Sequence, residues 1–196
     1  HLHEQLVGAD SKEVRRILVS RLDLVNARIE EFLSQPTDPE TRTTNTGAVF
    51  TRDTSHAALN EAWRDPRGLI WGDVVKNEDG EIWSMVQSSE YLKEIGRPLP
   101  EGELGAKEYC KSIGARLPSE EEFTSLREDM GARPDTNEGY SHHDNKILPN
   151  LSGNWFWSSS LNPDSSDYAY GFYGNGGNIY YYNRFISRSV RCVVGR

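Results

Sequence analysis

The stretch from Tyr168 to Arg184 constrains the fold of this chain more than any other part of the sequence. It holds six of the nine tyrosines, interrupted by glycines and asparagines. This pattern predicts two strands, Tyr168–Phe172 and Asn178–Tyr182, joined by a glycine- and asparagine-rich turn. Because successive side chains of a strand point to opposite faces, some rings must be core, either Tyr170 and Phe172 or their neighbours, while others lie exposed.

Further elements are predicted around this stretch. A helix over Leu104–Ile113 ends at Gly114, and a second helix opens with a capping box between Ser119 and Glu122 and runs to about Asp129. Four more strands are predicted, namely Leu69–Val75, Glu81–Val86, Trp155–Ser159 and Ser189–Val194. The segment Ala132–Asn150 is predicted to be a long polar loop. Because helices precede a run of strands, the expected fold class is α+β with an antiparallel sheet.

A separate helix is predicted at the N-terminus, over residues 1–35. Its apolar residues alternate in steps of four and three, as in a short heptad seam that Arg15 interrupts. The seam consists of Leu18, Leu22, Val25, Ile29 and Phe32. Two interpretations stay open: an oligomerising stalk, trimeric or dimeric, or an amphipathic helix docked on its own domain. Residues 36–46, which include two prolines and five threonines, predict a linker to a globular domain at 47–196.

Charge and hydropathy limit the partners. The net charge of -8 argues against nucleic acid and anionic membrane as partners, since both are bound through Lys and Arg. No apolar run has the length of a membrane span. The two cysteines, Cys110 and Cys192, are compatible with two buried thiols or with one disulfide. A disulfide would close a loop of about 80 residues and stabilise by about 4–5 kcal/mol on the chain-entropy model.

The sequence predicts no catalytic site. The serines Ser158–Ser160 lack the glycine-flanked turn of a hydrolase nucleophile and are better explained as a strand end whose hydroxyls bind the backbone. His142, His143 and Asp144 lack a second ligand pair, so they predict a loop surface. Calcium stays a candidate ligand for acidic loop residues. These are Asp129, Asp135 and Glu138 in one group, and Asp164 and Asp167 in another.

The tyrosine-rich stretch is instead a candidate binding face. Tyrosine offers rigid contact area with a polar tip, and asparagine and arginine donate hydrogen bonds to hydroxyls and carbonyls. The predicted ligand-binding residues are Tyr173, Asn175, Asn178, Tyr180, Tyr182, Asn183 and Arg184. The alternative interpretation is a tyrosine-rich β-meander with ordinary packing.

Four segments, in this order, carry a resemblance to a known group of families. They are Asp65–Trp71, Ala106–Phe123, Asn154–Ser160 and Ser189–Arg196. Together they resemble the C-terminal domain of bacterial collagen-like adhesins (the Lcl C-terminal domain) and the Fibrobacter major paralogous domains. More distantly, they resemble the formylglycine-generating-enzyme-like domains. The resemblance covers roughly residues 48–196.

This resemblance implies a C-type-lectin-like fold with antiparallel sheets and two helices. It also implies a disulfide between Cys110 and Cys192, and therefore an oxidising, extracellular or cell-surface setting. The adhesin relatives imply a homotrimer that displays a glycan- or protein-binding tip without enzymatic activity or a cofactor. The acidic chain favours neutral glycans or a protein over sulfated polysaccharides. The formylglycine-generating relatives need a late cysteine pair that this chain lacks, and a structural fibre component is the main alternative.

Overall fold

A computed structural model of the chain describes residues 11–34, 40–131 and 146–195. The chain divides into two units, His1–Asp38 and Pro39–Arg196. The first unit contains one described helix, α1, over Ser11–Ser34. Among the described residues, no helix combines the length and apolar character that crossing a membrane requires.

Helix α1 carries the predicted heptad seam on its surface. Leu18, Leu22, Val25 and Ile29 are each between 51% and 61% exposed. The side chain of Phe32, the last predicted seam residue, lies outside the described part of the structure. The seam is therefore an exposed apolar stripe on a helix of 24 residues.

The second unit is α+β, with two sheets and three further α-helices. Its strands are β1 (Thr41–Thr43), β2 (Val49–Asp53), β3 (Ala62–Arg64), β4 (Ile70–Val74), β5 (Ser84–Met85), β6 (Trp155–Asn162), β7 (Ser165–Tyr173), β8 (Ile179–Asn183), β9 (Arg188–Ser189) and β10 (Arg191–Val194). Its helices are α2 (Ser89–Glu94), α3 (Ala106–Ser112) and α4 (Glu120–Asp129).

Each sheet has five strands. The first sheet has the order β1-β2-β3-β4-β10, and all its pairs are antiparallel. The second sheet has the order β5-β9-β6-β7-β8. It is mixed, because β6 and β9 pair in parallel while its other pairs are antiparallel. Among the described strands, β8 is consequently an edge strand that pairs with β7 alone.

The C-terminal strand passes from one sheet to the other. The sequence predicts a single strand over Ser189–Val194, whereas the structure has β9 in the second sheet and β10 in the first. The predicted strands Leu69–Val75 and Glu81–Val86 are divided in the same way, because β4 lies in the first sheet and β5 in the second, with an isolated bridge between Lys76 and Ile82. Both segments therefore link the sheets, and a pattern of local hydrophobicity carries no information on which sheet each half joins.

Two apolar clusters fill the second unit. The first includes Trp71 of β4, Phe123 of α4 and Phe172 of β7. The second includes Trp157 of β6 and Cys110 of α3. All five are at most 1% exposed, so the aromatic residues of a chain with few aliphatics supply much of the core.

The disulfide that the resemblance implied is confirmed. Cys110 of α3 and Cys192 of β10 are bonded, with their Cα atoms 5.5 Å apart. The capping box at the start of α4 is confirmed as well. The Ser119 hydroxyl accepts from the Glu122 amide at 3.2 Å, and the Glu122 carboxylate accepts from the Ser119 amide at 2.8 Å.

The predicted linker differs from the structure at its C-terminal end. Residues 35–39 lie outside the described ranges, but Thr41–Thr43 form β1 and pair residue by residue with Val49–Thr51. Arg42 of β1 also lies over the ring of Trp63, 3.9 Å from its centroid. The globular unit thus begins before residue 47, because threonines suit a strand once a partner strand is present.

Candidate functional site

One face of the second sheet gathers four aromatic rings at its outer edge. Trp155 on β6 pairs with Tyr173 on β7, and Tyr180 and Tyr182 lie on β8 opposite Gly171 and Ala169. Because strand side chains alternate, these four rings share one face. We call Trp155, Tyr173, Tyr180 and Tyr182 the aromatic shelf. Tyr180 is 56% exposed and the other three are half-buried.

The rings of the aromatic shelf contact one another in a continuous series. Trp155 stacks on Tyr173, with centroids 4.9 Å apart and an angle of 22° between the planes. Trp155 meets the edge of Tyr182 at 5.0 Å, and Tyr182 meets Tyr180 at 5.8 Å. These separations fall in the range of favourable aromatic pairs, so the side chains hold each other in place.

A glycine beneath Tyr182 makes this arrangement possible. A Cβ atom at Gly171 would lie 3.3 Å from a ring carbon of Tyr182 and 3.4 Å from the Phe156 carbonyl oxygen. Without that atom, the Tyr182 ring lies close to the backbone of β7. The glycine in the middle of a strand pattern is therefore explained by close ring packing.

Arg188 adds a positive charge to the aromatic shelf. Its guanidinium carbon lies 4.2 Å from the Tyr182 ring centroid and 5.8 Å from that of Trp155. Its Nε is buried and has no hydrogen-bond partner. Burial raises the pKa of the Tyr182 hydroxyl, an effect that the charge of Arg188 opposes and Tyr180 reinforces. Tyr182 consequently stays a neutral hydrogen-bonding group near neutral pH.

The opposite face of the same strands is part of the core over half its length. Phe172 is fully buried and stacks on Phe123 of α4, with centroids 4.7 Å apart. Farther along, Tyr181 meets Tyr168 at 5.9 Å and Tyr170 at 6.3 Å, both edge-on. Of the predicted core pair, Phe172 is buried but Tyr170 is only half-buried, and Tyr168 and Tyr181 on the same face are exposed.

Arg184 does not lie on an exposed face, contrary to its prediction as a ligand-binding residue. It is 8% exposed, and its Nε donates to the Gln87 side-chain oxygen at 2.9 Å. A second nitrogen donates to the Ser166 carbonyl at 3.0 Å, and the guanidinium stacks 4.0 Å above Tyr91. Burial lowers its pKa. Tyr91 and nearby carboxylates oppose that shift. Because β8 ends at Asn183, strand alternation no longer applies to Arg184.

The three predicted asparagines occupy different places. Asn175 is exposed in the β7–β8 turn and accepts from the Ser152 hydroxyl at 3.0 Å. Asn178 is half-buried, and its backbone carbonyl accepts a hydrogen bond from the backbone amide of Tyr173 at 2.8 Å. Asn183 pairs with Tyr168 and so belongs to the face opposite the aromatic shelf. The structure therefore brings together Tyr173, Tyr180 and Tyr182 from the predicted set.

Sequence reasoning missed two residues of this site. Trp155 opens a predicted strand, and its pairing with β7 could have been inferred from the order of the strands. Arg188 had no such signal, since it reaches the aromatic shelf only because β9 pairs in parallel with β6.

The candidate calcium and nucleophile residues behave as ordinary structural groups where the structure describes them. Asp129 accepts from the Arg67 guanidinium, and Asp167 accepts from the Tyr91 hydroxyl at 2.8 Å. The Ser158 hydroxyl accepts from the Ser160 amide at 2.8 Å, as expected of a strand end. Within residues 11–34, 40–131 and 146–195 no cluster of metal-ligating residues occurs. Asp164 is exposed in the turn between β6 and β7, and the remaining candidates lie outside the described residues, namely Asp135, Glu138, His142, His143 and Asp144.

Comparison of the chain with models of known protein families, with curated proteins and with solved structures finds no match.

Proposed function

We propose that this protein is a non-catalytic, extracellular or cell-surface binding module of the adhesin type, which recognises a surface glycan through the aromatic shelf. The observation that carries the proposal is the series of contacting rings on one sheet face, Trp155, Tyr173, Tyr182 and Tyr180, of which Tyr180 is exposed and the others are half-buried. A C-type-lectin-like fold is part of the proposal and rests on the four sequence segments that resemble that group.

The aromatic shelf matches the chemistry of sugars. A pyranose presents an apolar face of C–H groups and a rim of hydroxyls, so aromatic rings suit the face while phenols and amides suit the rim. The aromatic shelf offers an indole and three phenols whose mutual contacts restrict their motion, which reduces the entropy lost on binding. Such a preorganised surface fits a glycan better than a flexible loop would.

The disulfide supports the proposed location. Both cysteines of the chain are used in the bond between Cys110 and Cys192, which is typical of proteins in oxidising compartments. The same fact bears on enzymatic activity. Neither cysteine is a free thiol, which argues against the cysteine pair that the resemblance to formylglycine-generating domains would require.

We further propose that α1 assembles the protein into a homotrimer. Leu18, Leu22, Val25 and Ile29 form an exposed apolar stripe, and most of the stability of a helix in a protein comes from packing such a face. Packing against copies of itself would bury the stripe, as in a coiled coil. Three linked modules would then bind a multivalent surface with an avidity well above the single-site affinity.

The assembly test uses two matched charge changes. Leu22→Glu with Ile29→Glu places carboxylates in the seam, whereas Ser20→Glu places one on the side of α1 away from it. Light scattering should give a trimeric mass for the unchanged protein and for Ser20→Glu, and a monomeric mass for the seam variant. A monomeric mass for the unchanged protein would refute the stalk.

The binding test compares the two faces of the second sheet. Trp155→Ala removes the centre of the aromatic shelf, and Tyr168→Ala removes an exposed ring from the opposite face. On a glycan array, the unchanged protein and Tyr168→Ala should bind the same sugars, and Trp155→Ala should lose them. Equal loss in both variants, or binding that survives Trp155→Ala, contradicts the proposal. Binding to whole cells that no glycan reproduces would indicate a protein ligand.

A second candidate function is a structural fibre subunit whose tyrosine-rich face is an interface between copies. The observation in its favour is the free edge of β8, where Tyr180 and Tyr181 stack at 4.9 Å. Replacing Tyr180, Tyr181 and Tyr182 with alanine discriminates the two. If these changes reduce the assembly to monomers, the face is an assembly surface; if the trimer persists while glycan binding is lost, the face is a binding site.

A further inference from the structure

We propose that the sugar bound by the aromatic shelf carries a carboxylate, and that the guanidinium of Arg188 binds it. This inference rests on the proposed glycan-binding function and narrows it to one ligand class, acidic sugars such as uronic or sialic acids. It revises the expectation of neutral glycans that the net charge suggested.

Arg188 lacks the hydrogen-bond and ion-pair partners that the other partly buried arginines have. Arg67 pairs with Asp129, and Arg116 pairs with Glu122 at 2.6 Å. Arg184, more deeply buried, donates to Gln87 and to a carbonyl. Within the described residues, Arg188 contacts only the faces of aromatic rings, and its Nε is buried without a partner.

Ring faces do not replace those partners. A cation–π contact stabilises a charge by about 0.5–2 kcal/mol. It does not provide hydrogen-bond acceptors for the five N–H groups of a guanidinium. An incomplete set of hydrogen bonds on a partly desolvated charge is unfavourable in the free protein. The terminal nitrogens of Arg188 are not among the buried atoms without a partner, so a ligand that brings a negatively charged acceptor to them gains affinity that a neutral ligand does not.

The geometry favours a carboxylate on a ring-shaped ligand. The planar guanidinium matches the two oxygens of a carboxylate, and such pairs are charge-assisted and often bidentate. Arg188 lies next to both Trp155 and Tyr182, whose centroids are 5.0 Å apart. A pyranose stacked on these rings would thus place a substituent of its ring beside the guanidinium.

The net charge of the chain is compatible with such a ligand. Long-range repulsion from a chain of charge -8 opposes densely charged polyanions, but salt screens it beyond about 8–10 Å. A single carboxylate bonded directly to Arg188 is a local contact. Binding should consequently depend only weakly on salt, in contrast to the steep dependence of polyanion binding.

The test compares acidic oligosaccharides with their neutral methyl esters. Calorimetry on the full chain would use tetragalacturonate, tetraglucuronate and sialyllactose, each with its ester. At least one acid should bind the unchanged protein ten times more tightly than its ester, which corresponds to about 1.4 kcal/mol. Arg188→Gln should abolish that preference, whereas Arg188→Lys should keep part of it because the charge remains.

The outcomes separate this inference from the proposed function. If acids and esters bind equally and Trp155→Ala weakens both, the glycan site stands and the carboxylate inference is wrong. If neither these probes nor any glycan on the array binds, both are wrong. An acetylated glutamate peptide that binds as tightly as the acidic sugars would overturn the assignment to a sugar. The comparison of acid with ester needs no variant, so a misfolded Arg188→Gln does not prevent a decision.

Discussion

Two five-residue strands of the globular unit, β4 and β8, are built in opposite ways. All five residues of β4 are buried, whereas no residue of β8 is. Strand β4 lies between β3 and β10, and β10 is tied to α3 by the disulfide, while β8 is a free edge. The difference separates two tasks: the first sheet supplies stability, and the edge of the second sheet presents aromatic side chains to solvent.

Exposed hydrophobic edge strands promote aggregation, so the aromatic edge strand β8 requires a structural or functional explanation. Tyr181 and Tyr182 meet rings on other strands, Tyr180 meets both of them within β8, and the hydroxyls keep the surface partly polar. Their positions follow from the register with β7, and Tyr182 also packs against the second apolar cluster. The comparison therefore predicts that changes near β4 and β10 alter stability, and that changes at the aromatic shelf alter binding.

The largest expected effect is the loss of the disulfide. Replacing Cys110 and Cys192 with alanine should reduce the free energy of unfolding by about 4–5 kcal/mol, because the bond spans 82 residues of sequence. Urea denaturation of the variant and of the reduced protein would measure it. A midpoint equal to that of the oxidised protein would mean that the first sheet does not depend on this link.

The next largest effect is expected from replacing an arginine with methionine, which can be done at Arg191 in the first sheet and at Arg188 in the second. Arg191 of β10 is fully buried, donates to the carbonyls of Gly72 and Pro149, and lies 3.7 Å from Asp73. Burial lowers its pKa to about 10, which the charge of Asp73 opposes. Arg191→Met leaves the two carbonyls without their buried donor and removes the cation beside Asp73, which keeps its hydrogen bonds from Asn150, so it should destabilise by about 3–5 kcal/mol.

Arg188→Met is the matched control. It removes a half-buried guanidinium that contacts only rings, so the stability should change by about 1 kcal/mol or less. Thermal and urea unfolding of the two variants would be compared directly. Equal destabilisation would remove the distinction between a structural arginine in the first sheet and a binding arginine in the second.

Acid should weaken the first sheet through Asp53 of β2. Burial alone would raise its pKa, but hydrogen bonds from His56, Ser55 and Arg64 outweigh it and lower the pKa to about 2. A depressed pKa means that the carboxylate stabilises the folded state fully above its unfolded pKa of 3.8, and that this contribution disappears as the pH falls to about 2.

The size of the acid effect can be isolated with Asp53→Asn. With allowance for the exposed Arg64 partner, the contribution is about 1–2 kcal/mol. The difference in unfolding free energy between the unchanged protein and the variant should be constant from pH 5 to 7, on the order of that value, and should vanish near pH 2. A difference that is independent of pH down to 2 would show that ionisation of Asp53 is not its cause.

The smallest effect on stability is expected at the edge. Tyr180→Ala removes a ring that is 56% exposed and should change the unfolding free energy by about 0.5 kcal/mol or less. Glycan binding measured on the same samples should nevertheless fall. A large loss of stability would instead mean that the aromatic edge is structural.

The sequence predicted those features that depend on local patterns. The helices around Cys110 and Phe123, the capping box at Ser119 and the strands on both sides of the β7–β8 turn all have short-range signals. The same holds for the split of the tyrosines between two faces. These features follow from side-chain periodicity and capping chemistry, which neighbouring residues determine.

The features that the sequence did not predict depend on long-range pairing. Strands β1, β2 and β3 are short and polar in part, and α2 has only six residues, so none gives a clear pattern. Arg184 leaves the strand and turns into the core, and Arg188 enters the site through a parallel pairing of distant segments. The positions of these side chains depend on the order of the strands in the sheet. The alternation of residues along a single strand carries no information on that order.

The most direct test of the central claim maps the ligand onto the two faces of the second sheet. Nitrogen–proton NMR spectra of the labelled protein would be recorded with the acidic oligosaccharide that binds most tightly among the three probes. The account predicts that the largest shifts occur at Trp155, Gly171, Tyr182 and Arg188. Shifts centred on Tyr168, Tyr170 and Tyr181, with the signals of the aromatic shelf unchanged, would contradict it.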